Sequence, residues 1–275
     1  MLRSMFAAVS GLKTHQTMLD VTANDIANVN TIGYKSARTT FKDSLSQLQR
    51  AGAASGGGLG GANAAQVGLG VQLGSVDNVM SSGSIQTTGN PLDLAIAGEG
   101  WFRVGQAAAP AAPTTFEYSR AGNFTRNSEG YLVTQDGYYV VGRTASGGGT
   151  DTLLQIPAGA TDVAIGQDGA LSYVPAGGGA RVTAGFVSLA KFANEAGLER
   201  ASANRWRVSA SSGGEQVSTP GGNYGLTQSG AVEMSNVDLA AQFTGMIAAQ
   251  RGFQANSRVI STGDEMLQDL VNLKR

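Results

Sequence analysis

Residues 235–275 read SNVDLAAQFTGMIAAQRGFQANSRVISTGDEMLQDLVNLKR. From Leu239 to Leu267, every seventh position of this stretch carries an apolar residue, namely Leu239, Met246, Phe253, Ile260 and Leu267. This heptad spacing predicts a long amphipathic helix with one apolar seam. A companion line that starts at Phe243 is half polar, so the helix has one strong seam and one weak seam.

The N-terminal residues carry a matching pattern. Their spacings alternate between three and four along Leu2, Met5, Val9, Leu12, Gln16, Leu19, Ala23 and Ile26. We therefore expect residues 1–30 and 234–275 to pair as a coiled-coil-like helical domain. Ordinary amphipathic helices that pack onto the central domain are the alternative.

Stripes this narrow cannot bury all their apolar surface in one helix pair, so the sequence predicts contacts with further copies. The predicted assembly interface comprises Met5, Val9, Leu12, Leu19, Ile26, Leu239, Phe243, Met246, Phe253, Ile260 and Leu267.

The composition limits the possible functions. The chain has 275 residues, a net charge of −1 and no cysteine. A nearly neutral chain has no field that would attract nucleic acid, and the lack of cysteine excludes disulfides and thiolate metal sites. No sequence run is long and apolar enough for a membrane span, and we expect no Sec-type leader. We also expect no cofactor.

Local signals predict where the helices end. Asn28, Asn30 and Gly33 tolerate the left-handed backbone that closes a helix. At the other helix, the Ser235 hydroxyl with Asp238 three residues later resembles a capping arrangement. Lys274 and Arg275 place positive charge at the C-terminal end of that helix.

Between the helices we expect a Gly-rich connector at 31–74 and a β-rich outer domain at 75–233. Part of Tyr34–Arg50 has near-helical apolar spacing, which favours a short helix, and AGAASGGGLGGANAA at 51–65 favours a mobile loop. Further along, Asp136-Gly137 and Asp168-Gly169 separate β-prone runs and predict hairpins, because both turn residues can take positive φ. The predicted fold class is mixed α and β, with a mainly antiparallel central domain.

The β-prone runs lie at Leu92–Ile96, Trp101–Val104, Tyr131–Thr134, Tyr138–Val141 and Phe186–Phe192. Their spacing predicts antiparallel meanders and not βαβ units.

Motifs that would carry chemistry are weak. Gly56, Gly58 and Gly61 match G-x-G-x-x-G, but no strand is predicted just before them, so a chance match in a Gly-rich run is favoured. His15 has no second ligand at metal-site spacing, which favours a solvated or interface histidine. Glu195 and Glu199 read as the polar face of a turn and not as an acid–base pair.

Aromatic residues on predicted strands are typical of a β core, and a carbohydrate-binding surface is the alternative interpretation. They are Trp101, Phe102, Tyr138, Tyr139 and Trp206.

The segment ANDIANVNTIGYK at 23–35 resembles the N-terminal signature of the bacterial flagellar rod and hook family, whose usual form has two adjacent asparagines where this chain has Asn24-Asp25. The resemblance continues through LDLAIAGEGWFRV, YSRAGNF and GYLVTQDGYYVVG to the C-terminal helix, and so covers essentially the whole chain. The signature residues are Ala23, Asn24, Ala27, Asn28, Thr31, Gly33, Gln250 and Arg251.

Gln250–Gln254 is similar to the hook member of the family. The resemblance therefore implies a non-enzymatic hook subunit, which polymerises into an extracellular flexible tube that joins rod to filament and transmits torque. It implies as partners further copies of the chain, a rod protein at the proximal end, hook cap and hook–filament junction proteins, and the type III export apparatus. A distal rod subunit is the alternative within the family, and a secreted glycan-binding protein is the alternative outside it.

Overall fold

A computed structural model of the protein describes residues 2–52, 54 and 61–273. One long helix precedes the β-strands in the sequence and one follows them. They are α1 (Leu2–Ala27) and α2 (Leu239–Asn272). A short 3-10 helix covers Glu195–Gly197. The predicted mixed fold, with terminal helices around a mainly antiparallel β region, is confirmed.

The strands are short, and every strand pairing in the described part of the chain is antiparallel. In chain order they are β1 (Ala37–Asp43), β2 (Ser46–Arg50), β3 (Ala65–Gly68), β4 (Val71–Asn78), β5 (Ile85–Thr87), β6 (Leu94–Ala97), β7 (Trp101–Gly105), β8 (Glu117–Ser119), β9 (Thr125–Arg126), β10 (Leu132–Val133), β11 (Tyr139–Ala145), β12 (Gly148–Leu153), β13 (Thr161–Ile165), β14 (Ala170–Val174), β15 (Val182–Val187), β16 (Leu189–Lys191), β17 (Glu199–Arg200), β18 (Arg205–Arg207), β19 (Gln216–Ser218), β20 (Leu226–Ser229) and β21 (Ala231–Glu233).

The chain forms two compact units. Unit 1 comprises Met1–Ala27, Ala37–Asn78 and Asp238–Arg275, and unit 2 comprises Asn28–Ser36 and Val79–Val237. This division differs from the boundaries expected from the sequence, because residues 37–74 group with the helices instead of linking them to the β-rich domain. The cause is packing of strands against α1, which local sequence patterns do not report.

The short helix expected within residues 34–50 is wrong, because these residues form β1 and β2. β1 pairs with β4, and β2 pairs with β3. Long-range strand pairing therefore overrides the near-helical spacing of the apolar residues. Part of the loop expected at 51–65 lies outside the described residues, namely residue 53 and residues 55–60, which include Gly56 and Gly58. The next described element is strand β3 and not the helix that a dinucleotide fingerprint requires.

The predicted helix ends are nearly right. α1 ends at Ala27, just before the Asn28–Gly33 segment. At α2 the N-cap is Asp238, whose carboxylate accepts hydrogen bonds from the amides of Ala240 and Ala241. Ser235 does not cap the helix, since its Oγ accepts from the amide of Val237 instead. Lys274 and Arg275 lie outside the described residues.

Both predicted hairpins form, but their turn geometry differs from the expectation. At the first turn the Gly137 amide donates to the carbonyl of Thr134, and the Thr134 amide donates to the carbonyl of Tyr138. Gly137 has φ of +81° and Gly169 has φ of +76°, whereas neither preceding aspartate has a positive φ. These bonds are typical of a type I turn followed by a glycine bulge, which needs only one left-handed residue.

The core of unit 2 lies on a large sheet with the strand order β13-β14-β15-β11-β7-β8-β18-β17. One apolar cluster surrounds Phe102, Leu132 and Leu171. A second cluster packs Trp101 against Trp206, with ring centroids 5.7 Å apart. The aromatic residues that the sequence left open as a glycan platform are thus largely core residues, and Trp101, Phe102 and Trp206 are fully buried.

Candidate assembly interface

The two helices of unit 1 run antiparallel and contact each other along most of α1. Met5 lies beside Gly263 near one end of the contact, and Met18 lies beside Gly245 near the other. Asp25 accepts a hydrogen bond from Gln242 at 3.3 Å. The predicted pairing of the two chain ends within one unit is therefore present.

Small residues make this contact. A Cβ added at Gly252 would lie 2.5 Å from Cε1 of His15, and one added at Gly11 would lie 2.7 Å from the Asn256 side chain. Ala8 and Ala249 are buried in the same stripe. Because glycine has no side chain, these positions leave room for a side chain of the other helix, so that His15 lies against Gly252 and Asn256 lies against Gly11.

The predicted interface residues are exposed or half-buried in the single chain, and one of them, Met5, contacts Gly263 across the helix pair. Several are exposed in the single chain, namely Val9, Leu239, Phe243 and Phe253. The others are half-buried, namely Met5, Leu12, Leu19, Ile26, Met246, Ile260 and Leu267. Smaller residues, such as Ala8 and Ala249, are the ones that the helix contact buries.

Further large apolar side chains, which the heptad reading missed, are also exposed on these helices. Phe6 on α1 is 71% exposed, and Ile247 on α2 is 52% exposed. Leu239, Phe243 and Ile247 lie one turn apart and form a continuous line, because residues four positions apart share a helix face. An apolar line of this length is typical of a surface that binds another protein.

α1 also packs on the β1–β4 strand pair within unit 1. The amide of Val71 donates to Oγ of Ser10 at 3.2 Å. The His15 ring contacts the Phe41 ring edge-on, with centroids 5.7 Å apart. His15 is therefore an interface histidine, one of the two roles that its isolation in the sequence favoured.

Asp25, which departs from the usual family signature, is fully buried. Both of its carboxylate oxygens accept from the Ala37 amide at 3.2 Å, and one also accepts from Gln242. The side chain thus joins the end of α1 to the start of β1 and to the first turns of α2. A carboxylate suits this position because its oxygens accept hydrogen bonds, and both the Ala37 amide and the Gln242 side chain donate to it.

The signature residues divide between the two units. Ala23, Asn24 and Ala27 lie on exposed positions of α1, and Gln250 and Arg251 lie on exposed positions of α2. In unit 2, the Thr31 hydroxyl donates to Oδ1 of Asn28 and the Thr31 amide donates to the Asn28 carbonyl.

Gly33 is the most constrained member of the signature. It has φ of +67°, and its amide donates to the Glu233 carbonyl at 2.7 Å. A Cβ at this position would lie 2.4 Å from the Ala121 amide nitrogen. The backbone conformation and the close approach both require glycine here.

A buried ion cluster in unit 2 holds the segment that follows Gly33. Glu233 accepts from Lys35 at 2.6 Å and from Arg120 at 3.0 Å, and all three side chains are at most 2% exposed. Burial lowers the pKa of the Lys35 ammonium, and the negative charge of Glu233 opposes that shift only in part. The cluster connects residues that are 198 positions apart in the sequence.

No group of His, Cys, Asp and Glu suited to a metal ion occurs among the described residues. Within the same residues, neither helix is long and apolar enough to cross a membrane.

Family models match three parts of the chain. Residues 5–35 match the model for flagella basal body rod protein, and residues 95–173 match the D1 domain of flagellar hook protein FlgE/F/G. Residues 228–273 match the C-terminal model of flagellar basal body rod FlgEFG protein.

Relatives along the full length of the chain are named as rod proteins. The chain is 47% identical to the flagellar basal-body rod protein FlgG of Bacillus subtilis over 277 residues, which is 100% of both chains. It is 38% identical to FlgG of Agrobacterium fabrum, over 96% of this chain and 97% of that protein. The hook protein FlgE of Helicobacter mustelae is 46% identical over only 52% of this chain and 31% of its own length.

These comparisons favour the rod alternative over the hook assignment that Gln250–Gln254 implied. Five residues carry less information than identity along the entire chain, so the comparisons outweigh the local motif. The family resemblance itself is confirmed, and the chain is structural and not an enzyme. It belongs to the flagellar basal-body rod and hook family of bacteria.

Proposed function

We propose that the protein is a subunit of the distal flagellar rod, a stiff tube that copies of this chain build by self-assembly. The observation that carries this proposal is the end-to-end similarity to proteins named as basal-body rod proteins. The related hook protein is similar over about half of this chain. A hook subunit remains the second candidate because of the Gln250–Gln254 motif.

Self-assembly is supported by the apolar flanks of α1 and α2. Phe6, Phe243 and Ile247 are each at least half exposed in the single chain. Burial of one such side chain contributes about 1.5–3 kcal/mol. Helices of neighbouring copies would cover these flanks and complete the coiled-coil-like seams that the heptads predict. Each subunit makes such contacts with neighbouring copies, so the stabilisation from apolar burial is repeated along the tube.

Stiffness is supported by the strands that replace the expected connector. β1 and β4 pair along their length and pack on α1 through the Ser10–Val71 and His15–Phe41 contacts. A flexible linker would let the parts of a subunit slide as the tube bends. Paired strands fixed on a helix resist such sliding, which suits a drive shaft better than a flexible joint.

The proposed place is the basal body, between a proximal rod protein and the hook, after export through the type III apparatus. Hook cap and hook–filament junction proteins belong to the hook alternative.

Electron microscopy of the purified, concentrated subunit tests the proposal. We expect straight tubes from the wild-type chain. Phe243→Ser should abolish the tubes because it removes an exposed aromatic side chain from the apolar line of α2, whereas the neighbouring Thr244→Ser, also exposed, should leave them intact. Curved tubes would instead support the hook alternative. A chain that stays monomeric would contradict self-assembly, and binding to glycan arrays would then support the remaining alternative.

A further inference from the structure

Four charged residues occupy one side of α2, away from α1. Arg251 and Arg258 come first, and Glu265 and Asp269 follow nearer the C-terminus. At about 100° per residue these four side chains point within roughly 40° of one another, on the side opposite the stripe of small residues that contacts α1. All four are exposed.

The charges on this face have no ion-pair partner among the described residues. Glu265 and Asp269 are like charges four positions apart, an arrangement that destabilises a helix. Asp269 also lies in the last turn of α2, where the helix dipole disfavours negative charge. Among the described residues this arrangement is therefore unfavourable, and a cationic neighbour would relieve it.

We propose that the arginine half of this charged face binds the acidic half of the face on α2 of a second copy, with the two arginines of one copy against Glu265 and Asp269 of the next. The proposal rests on the proposed self-assembly and names one contact within it. The midpoints of the two charge pairs are about 12.5 residues apart, or roughly 19 Å at 1.5 Å per residue. Parallel α2 helices of neighbouring copies would therefore be offset axially by about 19 Å.

The parallel arrangement follows from the form of the assembly. Contacts between different patches of identical subunits continue into open helical polymers, whereas a patch that binds itself closes a dimer. An antiparallel pair of α2 helices would also bring arginine to acid, but it would end growth after two copies. The staggered parallel contact satisfies the charges and leaves both ends of the assembly free to grow.

Charge exchange tests this contact. Arg251→Glu with Arg258→Glu should raise the critical concentration for tube formation at low ionic strength by about tenfold, because like charges then face each other. Glu265→Arg with Asp269→Arg should do the same. The chain that carries all four substitutions should recover to within about threefold of the wild type, because every pair is restored with reversed sign. It should also fail to copolymerise with the wild-type chain.

A cysteine variant tests the orientation. The natural chain contains no cysteine, so Ser261→Cys introduces a single reactive thiol beside the charged face. In the staggered parallel contact, equivalent thiols are about 19 Å apart and do not cross-link on oxidation. A disulfide-linked dimer would show an antiparallel contact and overturn the proposal.

The two proposals fail differently. If the wild-type chain forms tubes and either double reversal forms them equally well, the charged contact is wrong and the rod function stands. A quadruple variant that does not recover, despite helix content equal to that of the wild type, would also overturn the contact. If the wild-type chain forms no tubes, self-assembly fails, and this contact falls with it.

Discussion

At the residue scale, the buried carboxylate of Glu233 joins distant parts of unit 2. Glu233 accepts from Lys35, Arg120 and the Gly83 amide, and its own amide lies in strand β21. The two cations lost their hydration when they were buried, and Glu233 provides the compensating charge. The residue therefore fixes the segment after α1 against the last strand before α2.

Glu233→Gln should lower the free energy of unfolding of unit 2 by about 3 kcal/mol, because two buried cations lose the carboxylate that accepts their hydrogen bonds. Urea denaturation followed by tryptophan fluorescence measures this, since Trp101 and Trp206 lie in the same unit. Glu99→Gln is the matched control: it removes an ion pair with Lys191 in which Glu99 is 66% exposed, and it should leave the free energy of unfolding nearly unchanged. Equal losses in both variants would contradict this account of Glu233.

A comparison of Gly33 with Gly137 separates two effects of glycine in unit 2, the relief of backbone strain and the room for close packing. Both have positive φ, but a Cβ would meet the Ala121 backbone at Gly33 and nothing within 4 Å at Gly137. Gly137→Ala should cost about 1 kcal/mol of backbone strain. Gly33→Ala should cost at least about 1–3 kcal/mol more, because the adjacent backbone must move. Thermal unfolding of both variants measures the difference, and equal melting temperatures would show that close packing at Gly33 is unimportant.

At the element scale, the contact between α1 and α2 depends on glycines that are poor helix formers. Gly252 lies against the His15 ring, whereas the nearest atom to a Cβ at Gly245 is Met18 Cε, 3.9 Å away. The helix propensity lost at each glycine is about 1 kcal/mol relative to alanine. The close helix contact must therefore stabilise the pair by more than this at positions such as Gly252.

Alanine substitutions test that balance. Gly245→Ala should stabilise α2 by about 0.5–1 kcal/mol, because it gains helix propensity without a clash. Gly252→Ala should instead destabilise unit 1 by about 1–2 kcal/mol, since the new methyl group overlaps the His15 ring. Far-UV circular dichroism during thermal unfolding measures both. Stabilisation by both substitutions would show that the His15 side chain moves aside without cost.

At the scale of the whole molecule, the two units differ in how much of their apolar surface one chain covers. Unit 2 has two buried clusters, whereas the helices of unit 1 expose Phe6, Phe243 and Ile247. Helices with half-polar seams gain little stability without neighbours. Unit 1 should therefore be the less stable part of a free subunit.

Limited proteolysis measures this difference. Trypsin should cut α2 of the free subunit at Arg251 and Arg258, while the β core of unit 2 stays intact. The same bonds should resist cleavage in assembled tubes, where neighbouring copies hold the helix. Equal resistance of the helices and the β core in the free subunit would contradict the prediction and favour helices that are stable without assembly.

Local patterns in the sequence determined the elements. Heptads located α1 and α2, Asn28–Gly33 marked the end of α1, and alternating β-prone runs with Asp-Gly turns located the hairpins. These features depend on residues within a few positions of one another, so the sequence reports them directly. The family signature could be identified from the sequence for the same reason.

Only the tertiary structure decided which surfaces meet. It placed the small residues around Gly11 and Gly252 between the helices, paired β1 with β4, and joined Lys35 to Glu233. Heptad periodicity shows that a helix has an apolar face, but the closest approach depends on the shapes of both partners, which are far apart in the chain. The apolar flanks and the charged face of α2 are exposed in the single chain, and by our proposal other copies cover them.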